Sequence, residues 1–189
     1  GDVVDYFVVV EASQTFTGIS KPFYFDNLPS WINKWKEKII RVKIDFPMEA
    51  NSSWLKEYYQ RNAIAKGLTL AKSKDLIIIS DADEIVNADI FKNKLNTPTR
   101  LDVKQYFWNF HWQVPAHCNQ GSRPVIARKK DLDKSCAQDL RANTLPLVPN
   151  AGWHFSFFGE LEKIKNKIES FAHTEYNLDE YKNSEAILY

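Results

Sequence analysis

Three observations predict an α/β fold. Leu76-Ile77-Ile78-Ile79 is a run of four apolar residues, three of them β-branched, the pattern of a strand covered on both faces in the middle of an α/β sheet. Val3 to Val10 is a second, near-continuous apolar run of the same kind. From Glu160 to Ala172, Leu161, Ile164, Ile168 and Phe171 recur at spacings of 3, 4 and 3, the period of an amphipathic helix, with Glu160 and Glu162 in the first turn where the helix dipole favours acids.

The other elements follow in chain order. The run Val3 to Val10 ends at Glu11, an acid at the carboxyl end of a strand, and a turn-rich loop runs from Gln14 to Pro22. Ser30 to Lys38 is amphipathic and reads as helix, and Ile39 to Ile44 as strand. Ser53 to Leu68 reads as a helix stopped near Gly67. On it Trp54, Leu55, Tyr58 and Tyr59 form an apolar stripe, and Asn62 falls inside that stripe at about 80° from Trp54, with Arg61 at its edge. A polar pair on a buried face needs partners, either protein groups or a ligand. Asp89 to Leu95 reads as a short helix. Leu101 to Val114 alternates with period two, setting Tyr106, Trp108, Phe110 and Trp112 on one face as an aromatic wall and Phe107, Asn109, His111 and Gln113 on the other. The wall reads as core, with the polar face free to line a cleft. Pro115 to Pro149 is irregular apart from a strand at Pro124 to Ala127, and His154 lies on a strand-like segment before the last helix.

The most informative stretch is Ser80-Asp81-Ala82-Asp83-Glu84, where the central strand ends in three acids within four residues. Ligands of open α/β sheets bind at the carboxyl ends of the strands, and two carboxylates at i and i+2 can converge on one hard cation. Metal-assisted handling of a phosphate-bearing substrate is the chemistry this suggests. An EF-hand is excluded, because the fifth and sixth positions of such a loop would be Ile85 and Val86. A phosphoryl-aspartate mechanism is disfavoured by Ile85, where that motif has Thr. A plain acidic turn capping a helix that starts between Asn87 and Asp89 remains an alternative.

At 189 residues the chain fits one domain that buries roughly 70% of its unfolded surface. The charge balance of 25 − 24 = +1 supplies no field for nucleic acid. Cys118 and Cys136 are too few for a disulfide framework and read as small buried residues. No apolar run approaches a membrane span, so the expectation is a soluble chain or a soluble piece of a longer one. Six Trp, eight Tyr and twelve Phe, several in polar company, suggest rigid surfaces suited to stacking.

Six ordered segments together resemble glycosyltransferase family 17, whose animal members add the bisecting N-acetylglucosamine to N-glycans. They are Val4 to Ser13, Thr15 to Gly18 with Lys21-Pro22, Gln60 to Ile64, Ile78 to Ile85, Ala151 to His154, and Phe171 to Glu175. Pro115 to Leu147 matches least well. Family members usually carry a strand upstream of the Val4-Asp5-Tyr6-Phe7 run, which implies either a strand outside this sequence or a sheet with one fewer. The animal enzymes' cytoplasmic tail and membrane anchor do not appear in it. A cytoplasmic bacterial or viral chain and an excised Golgi luminal domain are both open.

The resemblance implies a single GT-A domain over residues 1–189, a mostly parallel sheet between helices that binds a UDP-sugar at its carboxyl edge. It implies a metal-dependent, inverting transfer of N-acetylglucosamine, or a related hexose, to a glycan hydroxyl, with Mn²⁺ or Mg²⁺ as the cation. Asp83 is then the first metal ligand, Asp81 touches the ribose or a metal-bound water, and His154 completes the shell, as a histidine from a C-terminal strand does in GT-A enzymes generally. Glu11, Thr15, Arg61 and Asn62 fall to nucleotide recognition and Lys21 to the diphosphate. The catalytic base comes from Glu160, Glu162 or Glu175, with Asp139 and Glu84 next in line. Two other classes stay open: a non-catalytic carbohydrate-binding module using the aromatic wall, which leaves the Asp81-Ala82-Asp83 turn idle, and a metal-dependent phosphohydrolase.

Overall fold

The structure is a computed structural model that describes residues 3–92, 94–115 and 123–183. In chain order the strands and helices are β1 (Phe7–Ala12), β2 (Ile39–Ile44), α1 (Ser53–Asn62), β3 (Leu76–Ile79), β4 (Glu84–Val86), β5 (Thr99–Phe107), β6 (Val125–Arg128), α2 (Lys129–Leu132), α3 (Ala137–Ala142), β7 (Leu147–Ser156), α4 (Leu161–Ser170) and α5 (Asp179–Lys182). They divide into two compact units, one of Gly1–Leu70 with Leu161–Tyr189, the other of Ala71–Glu160.

In the first unit β1 and β2 pair in parallel from Phe7↔Ile39 to Ala12↔Ile44. The apolar run pairs later than its sequence suggests, since Val3 is exposed and the strand starts at Phe7. Short 3-10 helices at Tyr24–Asn27 and Ser30–Lys38 make the crossover between the two strands. Ala12, Val42, Ile44 and Ala63 form the core here, with Val8, Val10 and Phe46 packed on it. Ser52 caps α1 by accepting from the Leu55 N–H at 3.2 Å, and the helix tightens to 3-10 over Ala63–Gly67. The expected burial on α1 is inverted: Trp54, Leu55, Tyr58 and Tyr59 are all exposed, while Lys56, Glu57, Gln60 and Arg61 are half-buried. On α4, Ile164 and Ile168 are buried, as the helical period requires.

The second unit is a five-stranded sheet of order β3-β6-β5-β7-β4. This corrects two expectations. The sheet is mixed, not mostly parallel: β5 and β7 run parallel, while β3/β6, β5/β6 and β4/β7 are antiparallel. The run Leu76–Ile79 is an edge strand of this sheet, not a middle one. The cause lies after the acids, where Glu84–Val86 forms a strand paired with β7 instead of opening the helix a parallel crossover needs. Only four residues join β3 to β4, the two ends of the order. They reach at most about 18 Å, while the edges of a flat five-stranded sheet lie about 19 Å apart. The sheet therefore curls until its edges approach. Ile90, Leu101, Ile126 and Ala151 fill its core, and α2 and α3 flank it.

The strand expected from Leu101 to Val114 ends at Phe107. Trp108 takes a positive φ of 61°, the chain turns, and it returns to bridge Gln113 to Tyr106. The alternation of Trp108, Phe110 and Trp112 is thus not strand geometry, and all three rings are exposed instead of core. Cys136 is half-buried and in no disulfide, and Cys118 lies outside the described residues. No helix among the described residues is long and apolar enough to cross a membrane.

Candidate functional site

The acidic turn is built by backbone bonds at both ends. The Glu84 N–H donates to the Asp81 carbonyl at 3.1 Å, and the Asp81 N–H donates to Glu84 Oε2 at 2.6 Å. β4 then pairs with β7 so that Glu84 faces His154 and Val86 faces Gly152. Gly152 is required there, because a Cβ would meet the Ile85 carbonyl oxygen at 2.1 Å. The Phe155 N–H donates to the Asp83 carbonyl at 2.9 Å, which carries the strand pairing one residue into the turn. In consequence Asp83 Oδ1 stands 3.5 Å from His154 Nε2, with side-chain exposures of 29% and 20%. Ser156 Oγ is 3.0 Å from the same imidazole nitrogen.

Asp81 is tied elsewhere. Arg141 Nη2 donates to Asp81 Oδ2 at 3.0 Å and to Glu84 Oε1 at 3.0 Å, and Nη1 donates to Glu84 Oε2 at 2.7 Å. Nη1 also lies 3.3 Å from the Ile79 carbonyl at the end of β3. The guanidinium thus clasps the two edges of the curled sheet beneath the acidic turn. The side chains of Arg141 and Glu84 are each 1% exposed. Burial pushes the Glu84 carboxyl up, against the Arg141 hydrogen bonds and charge, which pull it down. Both Glu84 oxygens are engaged, by Arg141 and by the Asp81 N–H. Among the described residues no three His, Cys, Asp or Glu side chains gather as a metal-holding group. Asp83 and His154 converge, and Asp81 points to Arg141.

In the first unit, Glu11 caps the 3-10 turn after the loop, accepting from the N–H groups of Tyr24 at 2.9 Å and Phe25 at 3.1 Å. Lys21 Nζ lies 4.0 Å from Glu11 and 5.2 Å from the centre of the Tyr24 ring. Thr15 Oγ1 accepts from the Ile19 N–H at 3.0 Å and lies 2.8 Å from Thr17 Oγ1, which holds the loop closed. Arg61 pairs with Glu57 at 2.6 Å, one turn back on α1, and Asn62 ends that helix half-buried. Of the three base candidates, Glu160 is exposed, and Glu162 is exposed and 3.5 Å from Lys165. Glu175 lies 2.6 Å from His173 Nδ1, and that hydrogen bond holds its carboxyl below the usual range. A carboxylate held low is a weaker base, which counts against Glu175 while His173 remains bound to it.

The family model of glycosyltransferase family 17 matches residues 1–188, nearly the whole chain. The chain belongs to glycosyltransferase family 17. Its activity class is therefore glycosyl transfer, which implies a sugar donor and a glycan acceptor. Comparison with curated proteins and with solved structures found no match.

For this family 17 chain, reading the sequence missed Arg141 and Ser156. Arg141 lies in the stretch read as irregular, although Ala137, Leu140 and Arg141 at i, i+3 and i+4 share one helix face and all three are buried. A charge on such a face demands a buried partner. Ser156 follows His154 at i+2 and shares its face of β7, the signal that could have found it.

Proposed function

We propose that this family 17 chain is a single GT-A-type catalytic domain that transfers N-acetylglucosamine, or a related hexose, from a UDP-sugar to a glycan hydroxyl with inversion. The observation that carries the reading is the convergence of Asp83 and His154 at the end of the Asp81-Ala82-Asp83 turn, 3.5 Å apart and partly buried. A carboxylate beside an imidazole suits Mn²⁺ over Mg²⁺. Two protein donors also suit a cation that shares its remaining positions with substrate phosphates and water, as catalytic divalent cations commonly do, better than a closed protein cage.

Asp83 and His154 would hold the metal, and Asp81, bound by Arg141 through Oδ2, is assigned to the ribose or a metal-bound water. When bound, the cation would neutralise charge growing on the departing diphosphate. His154 must present a neutral ring nitrogen to act as ligand, and the Ser156 hydroxyl, 3.0 Å from that same Nε2, would yield this contact to the cation. Glu11, Thr15, Arg61 and Asn62 are assigned to the nucleotide and Lys21 to the diphosphate. The base is assigned among Glu160, Glu162 and Glu175, with Glu160 first.

A screen of UDP-sugars with Mn²⁺, read by nucleotide release with and without candidate glycans, tests the reaction. Mn²⁺ titration in the presence of UDP, read by electron spin resonance, tests the site without turnover. Asp83→Asn and His154→Gln should each weaken Mn²⁺ retention about tenfold or more with an unchanged melting temperature. Release of phosphate from simple esters with no sugar transfer would instead make the chain a phosphohydrolase and end this proposal.

A further inference from the structure

We propose that Trp108 and Trp112 form the acceptor subsite, a corner of two indole rings that stacks on a pyranose of the glycan being modified. The inference rests on the glycosyl-transfer reading of the preceding subsection, and it names the surface that would hold the second substrate.

The register of β5 on β7 supplies the first argument. Gln105 is opposite His154, Tyr106 opposite Phe155 and Phe107 opposite Ser156. Paired residues share a face and successive ones alternate, so His154, Ser156 and Phe107 lie on one face of the sheet. The Phe107 ring stacks on Phe157 at 5.9 Å and 16°, and Trp108 leans on Phe107 at 5.7 Å. Trp108 and Trp112 then meet edge to face at 6.3 Å and 86°. Two rings at a right angle offer one apolar wall to the face of a sugar and a second to its edge.

Continuity with the reaction centre is the second argument, and it runs through one residue. Ser156 places its hydroxyl 3.0 Å from His154 Nε2, and its carbonyl accepts from the Trp108 N–H at 3.1 Å. The corner is thus fixed to the residue that touches the candidate metal ligand. Exposure is the third. Trp108 and Trp112 are 40% and 59% exposed, although tryptophan carries the largest apolar surface of any side chain. Trp108 holds this place at a φ of 61° and Phe157 at 56°, a conformation bulky residues rarely adopt. Strained, exposed aromatic backbone beside a candidate catalytic group marks a surface shaped for contact. Carbohydrate is the occupant favoured over a second protein copy because glycosyl transfer requires a glycan acceptor, and Ser156 ties the corner to the Asp83–His154 pair.

The test is retention of the purified chain on a printed array of mannose-, glucose-, galactose- and N-acetylglucosamine-terminated oligosaccharides, with UDP and Mn²⁺ present. Two variants remove the rings: Trp112→Ala, and Trp108→Gly, which suits the positive φ and so keeps the turn. Each should lower retention about tenfold or more, while Trp112→Phe, which keeps an aromatic face, should retain most of it. UDP affinity, measured separately, should not move in any variant. Unchanged retention in both ring-removing variants overturns the subsite, as does a wild-type chain that binds no glycan on the array. So does a wild-type dimer that the variants convert to monomer with retention intact, since that gives the corner to a second copy. Failure of the UDP-sugar reading would appear differently, as absent UDP binding with ring-dependent glycan retention preserved.

Discussion

Arg141 Nη1 stands 2.7 Å from Glu84 Oε2, and each of these buried side chains answers the charge of the other. The pair joins α3 to β4 under the acidic turn, and the second guanidinium nitrogen carries the link on to Asp81. Breaking a buried ion pair from one side leaves an uncompensated charge, which costs more than the pair itself contributes. Arg141→Ala should therefore lose roughly 3–5 kcal/mol of unfolding free energy. The double variant Arg141→Met with Glu84→Leu should regain much of that by removing both charges. Denaturant melts of the three chains check the stability claim. In the double variant Asp81 has lost its anchor, so UDP affinity should stay low even where stability returns.

Gly152 sets the distance between β4 and β7. A methyl group there would collide with the Ile85 carbonyl, so Gly152→Ala should cost roughly 1–3 kcal/mol. It should also push Asp83 away from His154, because the pairing of these two strands brings them together. The expected result is weaker Mn²⁺ retention in a chain that still folds. Unchanged retention would separate the proposed metal ligands from the strand pairing.

The base is tested by Glu160→Gln, Glu162→Gln and Glu175→Gln, each followed by donor titration and by turnover. Loss of turnover with donor and metal binding intact identifies the base. Glu160→Gln is expected to show it. If all three turn over normally, Asp139 is the next candidate, since Glu84 is buried and fully bonded.

Asp26 gives a signed pH dependence. Its hydrogen bonds to Lys43 and then to Arg41 hold its carboxyl below the usual range. The folded state thus prefers the ionised form, and the associated stability is present above the ordinary carboxylate pKa and lost as pH falls through the lowered one. The stability difference between wild type and Asp26→Asn should shrink on acidification across that window. Lys43→Ala should raise the Asp26 titration midpoint more than Arg41→Ala, read by carboxyl NMR shifts.

Local pattern carried well where burial follows period. β2 at Ile39–Ile44, the helix with buried Ile164 and Ile168, and the strand bearing His154 were all legible in the sequence. Pairing was not. Whether Leu76–Ile79 sits in the middle or at the edge of its sheet depends on which strands come to it, and four apolar residues look the same in either place. Exposed aromatics misled twice, on α1 and at Trp108, because period alone cannot tell a ring packed inside from one held out. The proximity of Asp83 and His154 depends on the pairing of β4 with β7, and three residues as short as Glu84–Val86 announce a strand poorly. Arg141 was hidden for a related reason, since its importance comes from partners about sixty positions away.

The division of the chain into a continuous unit and a discontinuous one has a consequence for biogenesis. Residues 71–160 can close on themselves as soon as they leave the ribosome. The other unit cannot, because the Phe16 N–H waits for the Ser170 carbonyl, Thr17 for Glu169, and Ser53 for Ala172. Until α4 is made, β1, β2 and α1 must persist with only part of their contacts, and the aromatic face of α1 is exposed throughout. The entropy of joining distant ends grows slowly, by about 0.6 kcal/mol per doubling of the loop, so the penalty falls on time more than on stability. Newly made chains should pass through a stage in which residues 71–160 resist protease while the N-terminal segment is still cut.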